Sequence, residues 1–169
     1  MAGKPMDFAP IEAEHDRIAA DFQAHQEALV RAIAEPAAVD QARAAWQRFE
    51  ARLRAHIRFE DEQLIPLFAA RVQPAPIGCS QELLDAEHHK LERLLERCSN
   101  STERHLNEAR TDPASLLRLI EDQRGLREVL EHHDQRERAA FFPALDATLS
   151  DSERASLLEA SLHAHPAVS

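Results

Sequence analysis

The sequence predicts an all-α fold, an up-down-up-down four-helix bundle followed by a short fifth helix. The 169 residues include only 3 Gly, and long stretches consist of Ala, Leu, Glu, Arg and Gln, which favour helices. Apolar residues recur at alternating steps of three and four, as on the buried face of a helix. The two halves carry similar motifs in the same order, which suggests two helical hairpins related by a pseudo-twofold axis. We therefore divide the chain into an N-terminal tail (1–7), the bundle (8–149) and a C-terminal helix with its tail (150–169).

Proline and glycine mark the ends of the first two helices. The first helix is expected to begin near Pro10 and to end before Pro36, because the residue ahead of a proline is pushed out of helical dihedrals. The second is expected over 38–71, with Pro66 kinking its last turns. Residues 73–78, which read Gln-Pro-Ala-Pro-Ile-Gly, then predict a loop that separates the two halves.

Capping residues predict where the remaining helices begin. Ser80 is a suitable N-cap for the third helix, and Asp112, which a proline follows, for the fourth. The fourth helix is expected to end near Leu149. Ser150 and Glu153 have the spacing of a capping box, which predicts the start of the short fifth helix.

Composition and charge argue against several classes of protein. The formal net charge of -10 is unfavourable for binding nucleic acid or an anionic membrane surface. No apolar run approaches the roughly 20 residues of a membrane span, and residues 1–7 lack the apolar core of a signal peptide. Cys79 and Cys98 form no CxxC pair, which argues against a disulfide framework. We expect a cytoplasmic protein that contacts neither nucleic acid nor membrane.

Each half contains a His, a Glu four residues later, and a Pro six residues after that Glu. The pairs are His56 with Glu60 and His133 with Glu137. Four residues are slightly more than one helical turn, so both side chains of a pair leave the same face of the helix. They occupy positions of the apolar seam where Leu would be expected, and burying a carboxylate without a partner costs several kcal/mol. A cation held between imidazole and carboxylate would offset that cost.

Helix lengths predict that four histidines lie in one layer. His15 and His56 are each about 20 residues from the first turn, which is roughly 30 Å along the helices. His88 and His133 lie at similar distances from the second turn. His25 would lie about 15 Å closer to its turn. We therefore expect it to miss the layer and to be a core histidine bonded to a backbone carbonyl.

These motifs resemble those of the hemerythrin-like, or HHE cation-binding, family. The resemblance spans about residues 8–149 and rests on Glu14-His15, His56-x3-Glu60, Glu87-His88 and His133-x3-Glu137. It implies a non-haem di-iron centre inside the bundle, with histidines capping each metal and two carboxylates bridging them. The implied ligands are His15, His56, Glu60, His88, His133 and Glu137. Imidazole and carboxylate ligands suit iron or manganese and also accept zinc.

The third helix departs from the oxygen-carrying members of that family. Those proteins have a second His one turn after the first, whereas this chain has Glu92 at that position. With two histidines per metal, the chain is more similar to members that repair iron–sulfur clusters or respond to nitric oxide or oxygen. Glu92 is either an additional ligand or a solvated residue. His132 is an alternative to its neighbour as a ligand, and Asp61 is interpreted as solvated or as a hydrogen-bond partner of a ligand.

A ferritin-like arrangement is the alternative metal site. Such bundles place Glu-x2-His on two helices, and Glu12 with His15 and Asp85 with His88 have a comparable spacing of carboxylate and imidazole. This arrangement leaves the histidines of the two His-x3-Glu pairs buried without a role, so we favour the six-ligand set. The chain has no Tyr, which excludes a tyrosyl-radical function.

Three classes of function agree with such a centre. The first, which the resemblance implies, is a protein that binds or responds to O2, NO or peroxide and that signals or exchanges electrons through a protein partner. The second is a di-iron enzyme, such as an oxidase, a peroxidase or an iron-donating repair protein. The third is a structural metal site, for example for zinc.

Overall fold

The computed structural model describes residues 9–108 and 112–164, and their regular elements are all helical. Within these ranges no strand is present, and no helix combines the length and apolar character of a membrane span. The all-α prediction is therefore confirmed, while the predicted tail 1–7 lies outside the described residues. The elements are α1 (Ala9–Ala32), α2 (Ala38–Phe59), a first π turn (Glu60–Leu64), α3 (Ile65–Arg71), α4 (Gln81–Glu108), α5 (Ala114–Asp122), α6 (Arg124–Arg136), a second π turn (Glu137–Phe141), α7 (Phe142–Asp146) and α8 (Asp151–Ala164).

All three residues predicted as caps accept a backbone N–H at the start of a helix, although α5 begins one residue later than predicted, with Pro113 rather than Asp112 at the N-cap position. Ser80 Oγ accepts the backbone N–H three residues later at 3.3 Å. Asp112 Oδ1 accepts the N–H of Ala114, the first residue of α5, at 3.1 Å. At the start of α8, the N–H of Ser150 donates to Glu153 Oε2 at 2.9 Å, and the N–H of Glu153 donates to Ser150 Oγ at 3.4 Å. The last pair is the reciprocal exchange that defines a capping box.

A π turn begins at each glutamate of the two His-x3-Glu pairs. The carbonyl of Glu60 accepts the N–H five residues later, and the carbonyl of Glu137 does the same in the second half. Each turn leads directly into Pro66 or Pro143, which has no N–H to donate and whose ring crowds the carbonyl four residues earlier. The wider π turn accommodates that proline within a continuous helical segment. A kink at Pro66 was predicted, whereas the π turn, a feature that is frequent at functional sites, was not.

The fourth predicted helix is interrupted at Gln123 and ends at Asp146 rather than near Leu149. Gly125, two residues after the break, has a low propensity for the interior of a helix. The Gln123 side chain is fully buried, where its Nε2 donates to Thr102 Oγ1 at 3.0 Å. A polar side chain drawn into the core and a nearby glycine explain why α5 and α6 are separate. The prediction of one uninterrupted helix is wrong in this respect.

Three apolar clusters follow one another along the helices, and a buried polar layer lies between the first and the second. The first cluster includes residues of α3, α7 and α8, and the third surrounds the turn between α1 and α2. The second cluster lies between these two and is formed by α1, α2, α4 and α6. α1 and α2 pack along their length, and α4 contacts α2, α5 and α6. His15 lies between Ile11 of the first cluster and Ile18 of the second, and His88 is bracketed in the same way. The candidate ligands therefore lie between two blocks of apolar side chains.

A buried polar node made of His25, Thr102 and Gln123 separates the second and third clusters. The Nδ1–H of His25 donates to the carbonyl of Ala42 at 2.8 Å, and its Nε2 accepts from Gln123 Nε2 at 3.0 Å. Burial, only partly offset by these hydrogen bonds, lowers the pKa of His25 to about 4. His25 is thus a neutral core histidine bonded to a backbone carbonyl, as the sequence predicts. It ties α1 to α2 and to the junction of α5 and α6.

We expect His25→Ala to lower the free energy of unfolding by about 2–4 kcal/mol, because it opens a cavity and leaves the Ala42 carbonyl and Gln123 unsatisfied. The folded pKa of about 4 lies below the ordinary value of 6.5, so this stabilisation is present above pH 6.5 and is lost as pH falls through about 4. Denaturant unfolding at several pH values measures both effects. His163→Ala is the control, since His163 bonds a backbone carbonyl on the exposed face of α8. A gap between wild type and His25→Ala that stays constant down to pH 4 would contradict this assignment.

Candidate metal centre

The structure brings six side chains predicted as ligands into one buried layer. α1 contributes His15 and α4 contributes His88, while each His-x3-Glu pair spans the junction between an α-helix and a π turn. The exposed fraction of each of these side chains is at most 6%. Together they form two overlapping groups, each able to hold a metal ion. The six residues are His15, His56, Glu60, His88, His133 and Glu137.

Each carboxylate divides its two oxygens between the two groups. Glu60 Oε1 lies 3.4 Å from His56 Nε2 and 3.9 Å from His15 Nε2, while Glu60 Oε2 lies 3.3 Å from His88 Nε2. Glu137 does the same, with Oε2 at 3.3 Å from His15 Nε2 and Oε1 at 3.2 Å from the Nε2 of its own helix partner, His133. Both carboxylates are thus placed to bridge two neighbouring positions.

The two histidines of each group face one another across the layer. The ring centroids of His15 and His56 are 4.5 Å apart, and those of His88 and His133 are 4.8 Å apart. The Nε2 atoms of His88 and His133 lie 3.2 Å from each other. If each neutral imidazole carries its proton on Nδ1, both Nε2 atoms direct a lone pair at the same point. A cation bound between two histidines requires this arrangement.

The inner faces of these side chains have few hydrogen-bond partners in the protein. All four carboxylate oxygens of Glu60 and Glu137, together with His15 Nε2, are buried without a well-formed hydrogen bond, despite the imidazoles nearby. Buried polar atoms are normally satisfied, since each unsatisfied group costs about 1–3 kcal/mol, and more if it is charged. A concentration of such atoms on one layer is what a metal-binding donor set looks like without its metal. The residues therefore fit a metal.

Three further carboxylates hold the outer nitrogens of the histidines. Asp61 Oδ1 accepts the Nδ1–H of His88 at 2.6 Å, and Glu87 Oε2 accepts that of His133 at 3.2 Å. Asp134 Oδ1 makes a short hydrogen bond with His15 Nδ1. These contacts fix the ring orientation and leave Nε2 directed inward, a common support for metal-binding histidines. Asp61 thus has the partner role that was one of its two predicted interpretations.

Arginines hold two of these outer carboxylates in turn. Arg138 Nε donates to Asp134 Oδ1 at 2.7 Å and also reaches Asp16 on α1 at 2.8 Å. Arg136 pairs with Glu87. Burial raises the pKa of Glu87, but its contacts with His133 and Arg136 outweigh burial and bring it to about 2. Asp134 and Arg136 were not predicted at the site, because their partners His15 and Glu87 are distant in the chain and no helical spacing links them.

The pKa values of the two central carboxyl groups move in opposite directions in the metal-free layer. Burial and then the negative charge of Glu60 raise the pKa of Glu137 well above its ordinary value. Burial would raise the pKa of Glu60 too, but the surrounding imidazoles, His56 foremost, lower it. Burial lowers the pKa values of His15 and His88, but contacts with Asp134 or Asp61 and with Glu60 outweigh it and raise both to about 9. Protonation of Glu137 and of these two imidazoles therefore limits the repulsion between the central carboxyl groups.

The other candidates from the sequence lie outside the layer. Glu92 is exposed, which agrees with a solvated residue, and His132 is exposed beside the buried His133. Glu12 and Asp85, the carboxylates of the ferritin-like alternative, belong to neither of the two groups. His25 is on a separate polar node, as predicted.

A pocket of about 330 Å³ opens between α1 and α6 and reaches the layer. Its inner end is formed by His15, His56 and His133, and its walls by apolar side chains that include Phe22 and Leu130. α1 and α6 make few close backbone contacts, which leaves this space between them. A small molecule can therefore approach three of the four histidines from outside.

Without metal, we expect the protein to become more stable as pH is lowered from about 9 to 6.5. His15 and His88 have folded pKa values of about 9 against an ordinary 6.5, so their stabilisation is complete below pH 6.5 and is lost as pH rises through about 9. The raised pKa of Glu137 acts in the same direction. Thermal melting in the presence of a chelator measures the effect. Glu137→Gln, which removes one of the two facing charges, should melt above wild type at pH 9; a lower melting temperature would refute the proposed repulsion.

Removing the carboxylate behind His88 should weaken metal binding without unfolding the helix. We expect Asp61→Ala to lower metal affinity by about 10–100-fold, the usual effect of losing such a partner. Glu62→Ala, at the next and exposed position of the same π turn, is the matched control. Competition with a chelator of known affinity gives both values. Equal affinities for the two variants would show that Asp61 does not support the site.

Comparisons with protein-family models, with curated proteins and with solved structures found no match to this chain. The nature of the site therefore follows from its side chains alone. Four imidazoles and two carboxylates, buried together and arranged in two groups that share both carboxylates, could hold metal ions. The chain is a helical protein with a candidate metal centre between two apolar clusters.

Proposed function

We propose that this chain is a hemerythrin-like di-iron protein that binds or responds to O2, NO or peroxide. One observation carries the proposal. Glu60 and Glu137 each direct one carboxylate oxygen to the group that contains His15 and His56, and the other oxygen to the group that contains His88 and His133. The two groups would then be two metal positions with two histidines each and both glutamates in common. The four long helical segments would form an up-down-up-down bundle around them.

The donor set favours iron or manganese over zinc. Imidazole nitrogen with hard carboxylate oxygen suits iron or manganese, while a site for zinc alone is more often a closed tetrahedron with four ligands to itself. Bound iron would supply redox chemistry and open positions for a small ligand. The protein would contribute the rest: apolar clusters exclude water on both sides of the layer, and the outer carboxylates hold each imidazole in place.

The pocket between α1 and α6 supports a function that involves an external molecule. A metal that only held the helices together would need no approach from outside, whereas His15, His56 and His133 line the inner end of this pocket. A response to a bound gas would pass through the helices that carry these histidines to a protein partner. The volume of the pocket also favours a second candidate, a di-iron enzyme that acts on a molecule larger than O2.

Metal content tests the assignment of bridges and terminal ligands. We expect about two metal ions per wild-type chain, loss of about one in His56→Ala or His133→Ala, and disturbance of both in Glu60→Ala or Glu137→Ala, since each glutamate is shared. His25→Ala should keep both ions because the polar node lies apart from the layer. Elemental analysis of protein purified without oxygen provides these counts. Two ions retained in the glutamate variants, or a loss in His25→Ala, would show that the site is elsewhere.

The identity of the ligand requires a second measurement on the same samples. Titration of the reduced, iron-loaded protein with O2, NO and peroxide should change its near-ultraviolet and visible absorption in a saturable way. His133→Ala, with one position impaired, should lose most of that change. An iron-loaded protein that gives no spectral response to any of the three would overturn the ligand assignment and leave a structural metal.

A further inference from the structure

The pocket between α1 and α6 is much larger than a diatomic gas requires. Its volume of about 330 Å³ compares with roughly 30 Å³ for one water molecule in the liquid. It lies at the lower end of the range of about 300–1,000 Å³ for sites that take small organic molecules. A single O2 or NO would leave most of this space to solvent.

The walls of the pocket are apolar for most of its depth. Ile18 and Phe22 project from α1 and Leu130 from α6, while Ala19 lies at the exposed edge. Ile18 and Phe22 are at most 6% exposed, so the pocket is lined by core side chains rather than by a solvated surface. Transfer of an apolar molecule from water to such walls is favourable, at roughly 25 cal/mol per Å² of apolar area.

Charged groups at the pocket are already paired within the protein. Arg127 faces Glu131 one turn away, with a Nε–Oε1 distance of 3.9 Å. Asp134 is held by both His15 and Arg138. Gln23 and Gln26, at the edge, donate to Glu27 and to the polar node. The lining thus carries one arginine and two carboxylates, each with a partner, and offers no free charge to an ionic ligand.

We propose that this pocket binds an uncharged, mainly apolar organic molecule of about ten non-hydrogen atoms, the number that its volume accommodates at ~30 Å³ each. The inner end of that molecule lies against the imidazoles of His15, His56 and His133. Its position next to a metal centre rests on the proposed function, whereas its binding depends on the pocket alone. The molecule is the substrate or the effector of the centre, and a gas shares the site with it.

Octanol and octanoate form a matched pair of probes with the same apolar chain and different charge. Trp46, the only Trp, contacts Phe22 with ring centroids 6.5 Å apart, so its fluorescence reports on the pocket wall. Each probe is titrated into the purified protein, and calorimetry on the same samples confirms the affinity. We expect saturable binding of octanol. In samples treated with a chelator, where no metal ion offers a positive charge, octanoate should bind at least about tenfold more weakly, because the side chains of the pocket offer no unpaired cation and include two carboxylates.

Two neighbouring alanines on α1 locate the binding. Ala19→Leu fills the entrance of the pocket and should weaken octanol binding by at least about tenfold. Ala20→Leu, exposed and outside the pocket, should stay within about twofold of wild type. Leu is a good helix former, so both variants should fold. Circular dichroism and melting temperature check this.

The results separate this inference from the proposed function. Absence of saturable octanol binding, equal affinities of the Ala19→Leu and Ala20→Leu variants, or tighter binding of octanoate than of octanol to the chelator-treated protein would overturn it. Metal content of each sample is measured in parallel. Octanol binding to a protein that holds no metal would support the pocket and count against the metal function, while two metals without octanol binding would do the opposite.

Discussion

Two carboxylates that face each other in a buried layer are the constraint on which the rest of the structure depends. Glu60 and Glu137 have no exposed surface, and both are surrounded by imidazoles rather than by arginine or lysine. Two such charges could not remain ionised together in an apolar interior, so the layer needs either a proton or a cation between them. The opposite pKa shifts of the two carboxyl groups describe the first solution. The two overlapping groups of side chains that could hold a metal ion allow the second.

The outer carboxylates extend this electrostatic arrangement toward the surface. Asp61, Glu87 and Asp134 each hold a histidine from a different helix, and Arg136 and Arg138 hold two of these carboxylates. The sign of charge alternates outward from glutamate to imidazole to carboxylate to arginine. Because the three contacts with histidines and the Arg136–Glu87 pair join different helices, the arrangement of the helices and the orientation of the imidazoles are set by the same interactions.

Much of the candidate site could be predicted from the sequence because it follows helical periodicity. His56 and Glu60 replace Leu on an apolar seam, and equal distances from the turns align His15 with His56. Spacing within one helix carries that information. Contacts between helices carry no comparable signal, so Asp134, which holds His15 from the other half of the chain, was missed.

The fold was predictable to the same extent and for the same reason. Caps at Ser80 and Ser150 depend on residues three positions apart, and both were found. The break at Gln123 depends on a side chain drawn toward His25 and Thr102, which are far from it in sequence. The π turns were predictable in part. Pro66 and Pro143 indicate an irregular helix, but the sequence does not show that the irregularity is a π turn.

The polar node of His25, Thr102 and Gln123 has a consequence for the alignment of the helices. Apolar seams of Leu and Ile repeat with every turn, so a helix displaced lengthwise by one turn, about 5.4 Å, would still find apolar neighbours. Hydrogen bonds with a single matching partner do not repeat, and those of His25 and Gln123 form in one alignment only. The node thus selects one lengthwise alignment of the helices at this end of the protein. It favours the alignment in which His15 lies level with the other three histidines, while the layer has contacts between helices of its own that hold this alignment without the node.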